Sequence, residues 1–257
     1  EINHSSVIEG DIITQRTSGA SRSVVSIDLI DDNGQVATYC SGVLIGPHTV
    51  LTLAHCFSRE FIRNVRTFNI RFENRYDTAS PRDVRKGLEF SRHPKFNAHA
   101  VLDNDLAVAV FKGDIPEGYT YVAMNAETKK DYTDASVYVY GFGRRKDYTG
   151  RRGEDLRYSS GNLSKGVLKI DNYTAAFDRY FTSEKTRNHL CQGDSGGPQF
   201  VEVDGVVKVL GINSGSYGDI LDSGLRSCLG KSQATKVGYF YNWVKDEEAK
   251  ILRRYYH

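Results

Sequence analysis

The sequence predicts an all-β, antiparallel fold finished by one C-terminal α-helix. Short apolar runs recur between turn signals, and 16 tyrosines and 12 phenylalanines suit pleated, half-buried surfaces. One terminal segment reads instead with helical spacing. With 257 residues, 39% of them apolar and 26% charged, the chain is globular and long enough to bury a core.

In chain order the strand-like runs are VVSIDLI (24–30), LAVAVF (106–111), SVYVYGFG (136–143) and GVVKVLGINSG (205–215). Val25, Ile27 and Leu29 alternate, so every second side chain of the first run is expected to face a core. Glycine-rich punctuation between runs suggests hairpins and a sandwich or barrel. The polar stretch 124–136 is a candidate hinge. In FYNWVKDEEAKILRRYYH (240–257), Phe240, Val244, Ile251 and Tyr255 fall near one helical face. Asp246, Glu247 and Glu248 precede Arg253 and Arg254, the order that the helix dipole favours.

Composition narrows the function. A net charge of +2 is too small for a nucleic-acid binder. The cluster Arg144, Arg145, Lys146, Arg151 and Arg152 lacks interleaved aromatics and reads as an exposed loop. No segment is apolar for long enough to span a membrane. No apolar leader opens the chain, so a secretion signal is expected to be missing or already removed. Four cysteines (Cys40, Cys56, Cys191 and Cys228) allow two disulfides, and composition leaves all three pairings open. Cys40, His55 and Cys56 offer no fourth ligand at finger-like spacing, and adjacent His–Cys ligation is strained, so no metal is expected. Glu73 and Asp77, in the stretch 71–83, are weak grounds for calcium. Asn3, Asn162 and Asn172 begin N-x-S/T sequons.

The chemistry-bearing stretch is CQGDSGGPQF (191–200). A serine hydroxyl attacks well only when a base takes its proton. The oxyanion formed on a carbonyl then needs fixed donors. Glycines let backbone N–H groups converge because no Cβ obstructs the turn. Ser195 can supply the nucleophile while the amides of Gly193 and Ser195 supply the donors. The base is offered by LTLAHC (51–56), where His55 adjoins Cys56. The acid that orients it is offered by DNDLAVAVF (103–111), where Asp105 heads an apolar strand and Asp103 is the neighbouring alternative. A carboxylate entering a buried strand needs a hydrogen-bond partner, and an imidazole N–H would serve.

LTLAHC, DNDLAVAVF and CQGDSGGP, in that order, resemble the His, Asp and Ser segments of the chymotrypsin/trypsin family of serine endopeptidases. The likeness runs from VIEG (7–10) to YNWV (241–244). It implies two antiparallel six-stranded β-barrels with the triad in the cleft between them, followed by the C-terminal helix. The resulting division is a propeptide-like extension (1–6), a first barrel carrying His55 and Asp105 (7–123), and a second barrel with the helix, carrying Ser195 (124–257). By the same resemblance Ser195 is the acylated nucleophile, His55 the general base and then acid, and Asp105 its orienting partner. Cys40–Cys56 would staple the His55 loop and Cys191–Cys228 the wall of the substrate pocket. Ser214 would lie near Asp105, on a strand that pairs with the substrate backbone.

Departures from the family pattern bear on specificity and activation. At the position where tryptic members carry a pocket-floor aspartate stands His189, so cleavage after Lys or Arg is not expected. Gly215 and Ser216 replace the usual Trp-Gly, and the loop before Cys228 is longer than usual. Ser216 narrows the entrance, and Ser232 is expected on the pocket wall. VIEG resembles a mature N-terminus whose amine would pair with Asp194, which makes the chain precursor-like. Ser6 precedes Val7, so trypsin-like self-activation is not expected and an activating protease is implied. The expected protein is a secreted, extracellular or periplasmic monomer that cleaves protein or peptide substrates without a cofactor. The competing expectation is a catalytically silent binding protein on the same fold. A nucleophile-elbow esterase would place its serine before its histidine, the reverse of the order here.

Overall fold

The computed structural model describes residues 7–58, 60, 65–75, 83–99, 103–147, 160–173, 180–184, 187–221 and 227–256. Strand β1 (Asp11–Ile12) and a one-turn helix α1 (Gly19–Arg22) lead into β2 (Val24–Ile30), β3 (Val36–Gly46), β4 (Thr49–Thr52), β5 (Thr67–Arg71), β6 (Val84–Arg92) and β7 (Ala107–Phe111). Strands β2 to β7 close an antiparallel barrel in the order β2-β3-β4-β7-β6-β5. Closure leaves no unpaired edge on which another chain could add.

Six further strands are β8 (Ser136–Gly141), β9 (Ser164–Asn172), β10 (Tyr180–Ser183), β11 (Pro198–Val203), β12 (Val206–Tyr217) and β13 (Lys231–Lys236). They run β9-β10-β13-β12-β11-β8, and the pairing of β8 with β9 closes a second six-stranded barrel. The all-β, two-barrel architecture expected from the sequence is therefore present. The stretch 124–136 lies between the barrels' strands, where Met124 bridges Val209.

The strands form where the apolar runs stand, with one instructive difference. All seven residues of β2 are buried, not only Val25, Ile27 and Leu29. Its second face is covered too, and burying Asp28 there requires a partner, which Arg71 on the neighbouring β5 provides. In β8 and β9 the alternation is visible, buried residues taking turns with exposed or half-buried ones.

The two ends of the chain cross between barrels. β1 pairs with β9 of the second barrel, Asp11 opposite Lys165 and Ile12 opposite Ser164. Helix α2 (Val237–Tyr255) follows β13 yet packs against β6 and β7 as well as β12. Its stripe Val237, Phe240, Val244, Ile251 joins the core that holds Val108, Val110 and Phe111. The helix begins three residues before the predicted segment, and Tyr255 is 44% exposed instead of sharing the stripe. Glu248 takes an inward place instead, its carboxylate met by Lys245 one turn away.

Candidate active site

Strand β4 ends three residues before His55, which opens a single 3₁₀ turn (His55–Phe57). The Cys40–Cys56 disulfide ties that turn to the middle of β3. Asp105 lies two residues before β7, the strand that pairs with β4, so the sheet register brings the two loops together. Asp105 is fully buried, and both of its oxygens accept from His55: Oδ1 from the backbone N–H at 2.9 Å, Oδ2 from Nδ1 at 2.7 Å. That geometry puts the ring proton on Nδ1 and leaves Nε2 as the basic nitrogen. Of the two candidate acids, Asp105 rather than Asp103 makes this contact.

The second barrel contributes the turn 191–197. Ser195 is half-buried and faces a cavity of about 180 Å³ whose other walls include Leu190, Gln192, Asn213, Gly215 and Ser216. Gly193 has φ +96°, a left-handed conformation that favours glycine, and a Cβ there would stand 2.8 Å from the Cα of Gly143. Within the turn, Asp194 N–H donates to the Cys191 carbonyl at 3.0 Å and Gly197 N–H to the Asp194 carbonyl at 3.0 Å. The amides of Gly193 and Ser195 donate to no internal acceptor among the described residues. Two backbone donors are thus left for a ligand at the mouth of the cavity.

The Asp194 carboxyl is 1% exposed. It accepts from Gly143 N–H at 2.9 Å and Cys191 N–H at 3.0 Å, and no cationic side chain pairs with it among the described residues. Burial pushes its pKa up to about 7, and the two amides offset this only in part. Val7 is fully buried at φ +55°, an outlying conformation for a β-branched residue. Its neighbour Ile8 bridges His189, donating to the His189 carbonyl at 2.9 Å.

Not every expected pocket residue is among those that line the cavity. His189 does not line the described cavity. Its backbone is paired with Ile8, and its buried ring sets Nδ1 3.3 Å from the Gly230 carbonyl, so Leu190 faces the space instead. Ser214 stands between the cavity-lining Asn213 and Gly215, and its Oγ is buried without a hydrogen-bond partner among the described residues. Ser232 sits in β13 beside Ser216, its register partner on β12, and only Ser216 is among the residues that line the cavity.

Two residues without a sequence signal also shape this region. Asp147 accepts from the Cys228 amide at 2.7 Å and from the Ser227 hydroxyl, holding the chain beside the Cys191–Cys228 disulfide. Ser41, on β3, is bonded to the turn that contains Ser195. A lone aspartate in a loop and a lone serine in a strand form no pattern, so neither was legible beforehand.

All four cysteines are in disulfides, so the thiolates that zinc would need at Cys40 and Cys56 are not available. In the stretch 71–83, Glu73 is buried 3.7 Å from Arg71. The half-buried Arg16 donates to the Glu73 backbone carbonyl at 2.6 Å and to Asn74 Oδ1 at 2.6 Å. Glu73 is thus compensated by guanidinium groups, while Asp77 lies outside the described residues. Arg151, Arg152 and Asn3 lie outside them too.

Two six-stranded antiparallel barrels, with a buried His–Asp pair from one and a glycine-flanked serine turn from the other, define the chymotrypsin-like class of fold. The family model for trypsin matches residues 13–244, and the chain belongs to that family. It is 26% identical over 226 residues to coagulation factor IX of Oryctolagus cuniculus, covering 82% of this chain and 76% of that protein. Over 181 residues it is 28% identical to a venom serine protease of Polistes dominula, covering 62% of this chain and 60% of that one. It is 25% identical over 218 residues to the atrial natriuretic peptide-converting enzyme of Mus musculus, covering 80% of this chain but only 18% of the relative. The chain is thus a serine-protease homologue of the hydrolase class, at low identity to the relatives named.

Proposed function

We propose that the protein is a secreted serine endopeptidase that works through an acyl-enzyme and is activated by scission before Val7. The observation that carries this reading is the fully buried Asp105 carboxylate saturated by His55. Such an arrangement stabilises an imidazolium that forms only when His55 takes a proton. Ser195 Oγ attacks the scissile carbonyl carbon and its proton passes to His55 Nε2. The oxyanion accepts from the Gly193 and Ser195 amides. Collapse breaks the C–N bond as His55 returns the proton to the departing amine. Water, deprotonated by His55, then releases the acyl group.

The preferred side chain at the cleavage site is not cationic. Among the described residues, the cavity wall carries a single carboxylate, Asp194, and both of its oxygens are occupied by amides. Neither a lysine nor an arginine finds a counter-ion there. The two disulfides support an oxidising compartment. It acts as a monomer on protein or peptide substrates, and the reaction draws on this chain's own side chains and backbone amides.

Activation is scission before Val7 by a separate protease, since Ser6 is not basic. Two observations support it. Asp194 is buried with no cation partnered to it among the described residues, and Val7 holds an outlying φ that cutting its peptide bond would abolish. A freed amine would supply the missing counter-charge.

A fluorophosphonate probe tests the reading. Ser195 should label after limited proteolysis before Val7, with Ser195→Ala unlabelled and His55→Ala lowering kcat by about 10⁶. No labelling either before or after scission would instead favour a catalytically silent protein of this fold.

A further inference from the structure

Every peptide plane of the turn 192–195 is held through its carbonyl oxygen. A trans peptide is planar, so fixing its C=O fixes the opposing N–H of the next residue. The Gln192 carbonyl accepts from Arg144 N–H at 2.8 Å, which aims the Gly193 N–H away from residue 144. The Asp194 carbonyl accepts from Gly197 N–H at 3.0 Å and Asn213 Nδ2 at 3.3 Å, which likewise aims the Ser195 N–H. Between these two donor-bearing planes lies the 193–194 peptide. Its carbonyl accepts from Ser41 Oγ at 2.8 Å.

Ser41 belongs to the other barrel and is fully buried. Its hydroxyl is engaged on both sides, donating to Gly193 O and accepting from Phe142 N–H at 3.0 Å. Its backbone N–H donates to the Ser195 carbonyl at 2.8 Å, and its own carbonyl accepts from Thr52 Oγ1 at 2.9 Å. Gly196 permits this approach, since a Cβ there would lie 2.2 Å from the Ser41 carbonyl oxygen. One residue of β3 therefore holds the turn at Gly193 and Ser195, the start of the 142–147 loop and the end of β4 that leads to His55.

We propose that Ser41 is a positioning residue. Its hydroxyl locks the 193–194 peptide so that the Gly193 and Ser195 amides converge on one point, and it does so with the bond before Val7 intact. The inference rests on the proposed acyl-enzyme function. Ser41 touches no reacting atom, and its effect is on the donors that act in the transition state.

Ser41→Ala removes the hydroxyl with almost no change of volume. On a peptide substrate the cleaved Ser41→Ala enzyme should show kcat reduced about tenfold with KM within about twofold, because oxyanion donors act on the transition state more than on bound substrate. The deficit in fluorophosphonate labelling should be larger before scission than after it, when the amine–Asp194 pair also supports the turn. Hydrogen exchange of the amides in 191–197 should be faster in Ser41→Ala than in the parent. An unchanged kcat with unchanged exchange overturns the proposal, as does a rise in KM without a fall in kcat. If the parent itself neither labels nor cleaves, the acyl-enzyme reading fails. The exchange comparison, which needs no activity, then decides whether Ser41 holds the turn.

Discussion

Asp194 exchanges a solvated carboxyl for one that is 1% exposed and faces two amides but no described cation. Its pKa rises from 3.8 to about 7, so between those values the folded chain binds more protons than the unfolded one. Its contribution to stability is complete below about pH 4, is lost as pH rises towards 7, and amounts to something on the order of 4 kcal/mol. The uncut parent should therefore lose stability relative to Asp194→Asn across that window, measured by denaturant unfolding at several pH values. Parallel pH profiles would show that the carboxyl is not buried uncharged. After scission before Val7 the difference should shrink, because an adjacent ammonium favours the ionised form. At this scale the sequence was informative wherever chemistry demands a fixed string. His55, Asp105 and Ser195 sit inside such strings. His189 shows the limit of such counting, which gives a position but not a side-chain direction; its backbone pairs with Ile8.

Loops and strands show how the pocket wall is held. Asp147 stands in the loop after β8 and grips Ser227 and Cys228, while the disulfide joins Cys228 to Cys191 at the turn's start. Replacing Asp147 by alanine removes a charge-assisted acceptor from that wall. We expect KM for peptide substrates to rise about tenfold, equivalent to about 1.4 kcal/mol, with kcat nearly preserved. A fall in kcat at constant KM would place Asp147 with the catalytic turn instead. Cross-links that close loops of 16 and 37 residues constrain the unfolded chain by about 3 and about 4 kcal/mol on the chain-entropy account. The strands themselves were readable from apolar runs such as VVSIDLI, which coincides with β2. The burial of both its faces was not, because period-2 reasoning assumes one wet side. Helix α2 was readable from its stripe, but its outer boundary was not. Tyr255 continues the spacing yet is largely exposed, and only packing reveals where cover ends.

Across the molecule, each barrel is completed by a segment from the far end of the chain: β1 lies on the second barrel and α2 on the first. Ile251, fully buried in the core shared with β7, is the most direct probe of that exchange. Ile251→Ala should cost about 2–5 kcal/mol and lower Tm as a single cooperative transition. A biphasic melt in which only one barrel loses stability would mean that the halves unfold independently. The crossing also sets a schedule for biosynthesis. A nascent chain offers its N-terminal elements first and its domains fold largely as they emerge. Here the strand that presents Val108 and Phe111 leaves the ribosome well before α2, which covers them, is translated. The barrel bearing His55 and Asp105 must wait, incompletely covered, for a helix made after the Ser195 turn. Its apolar surface stays exposed until α2 is made, when a chaperone would have most to bind, and the Ser195 turn is translated before that cover arrives.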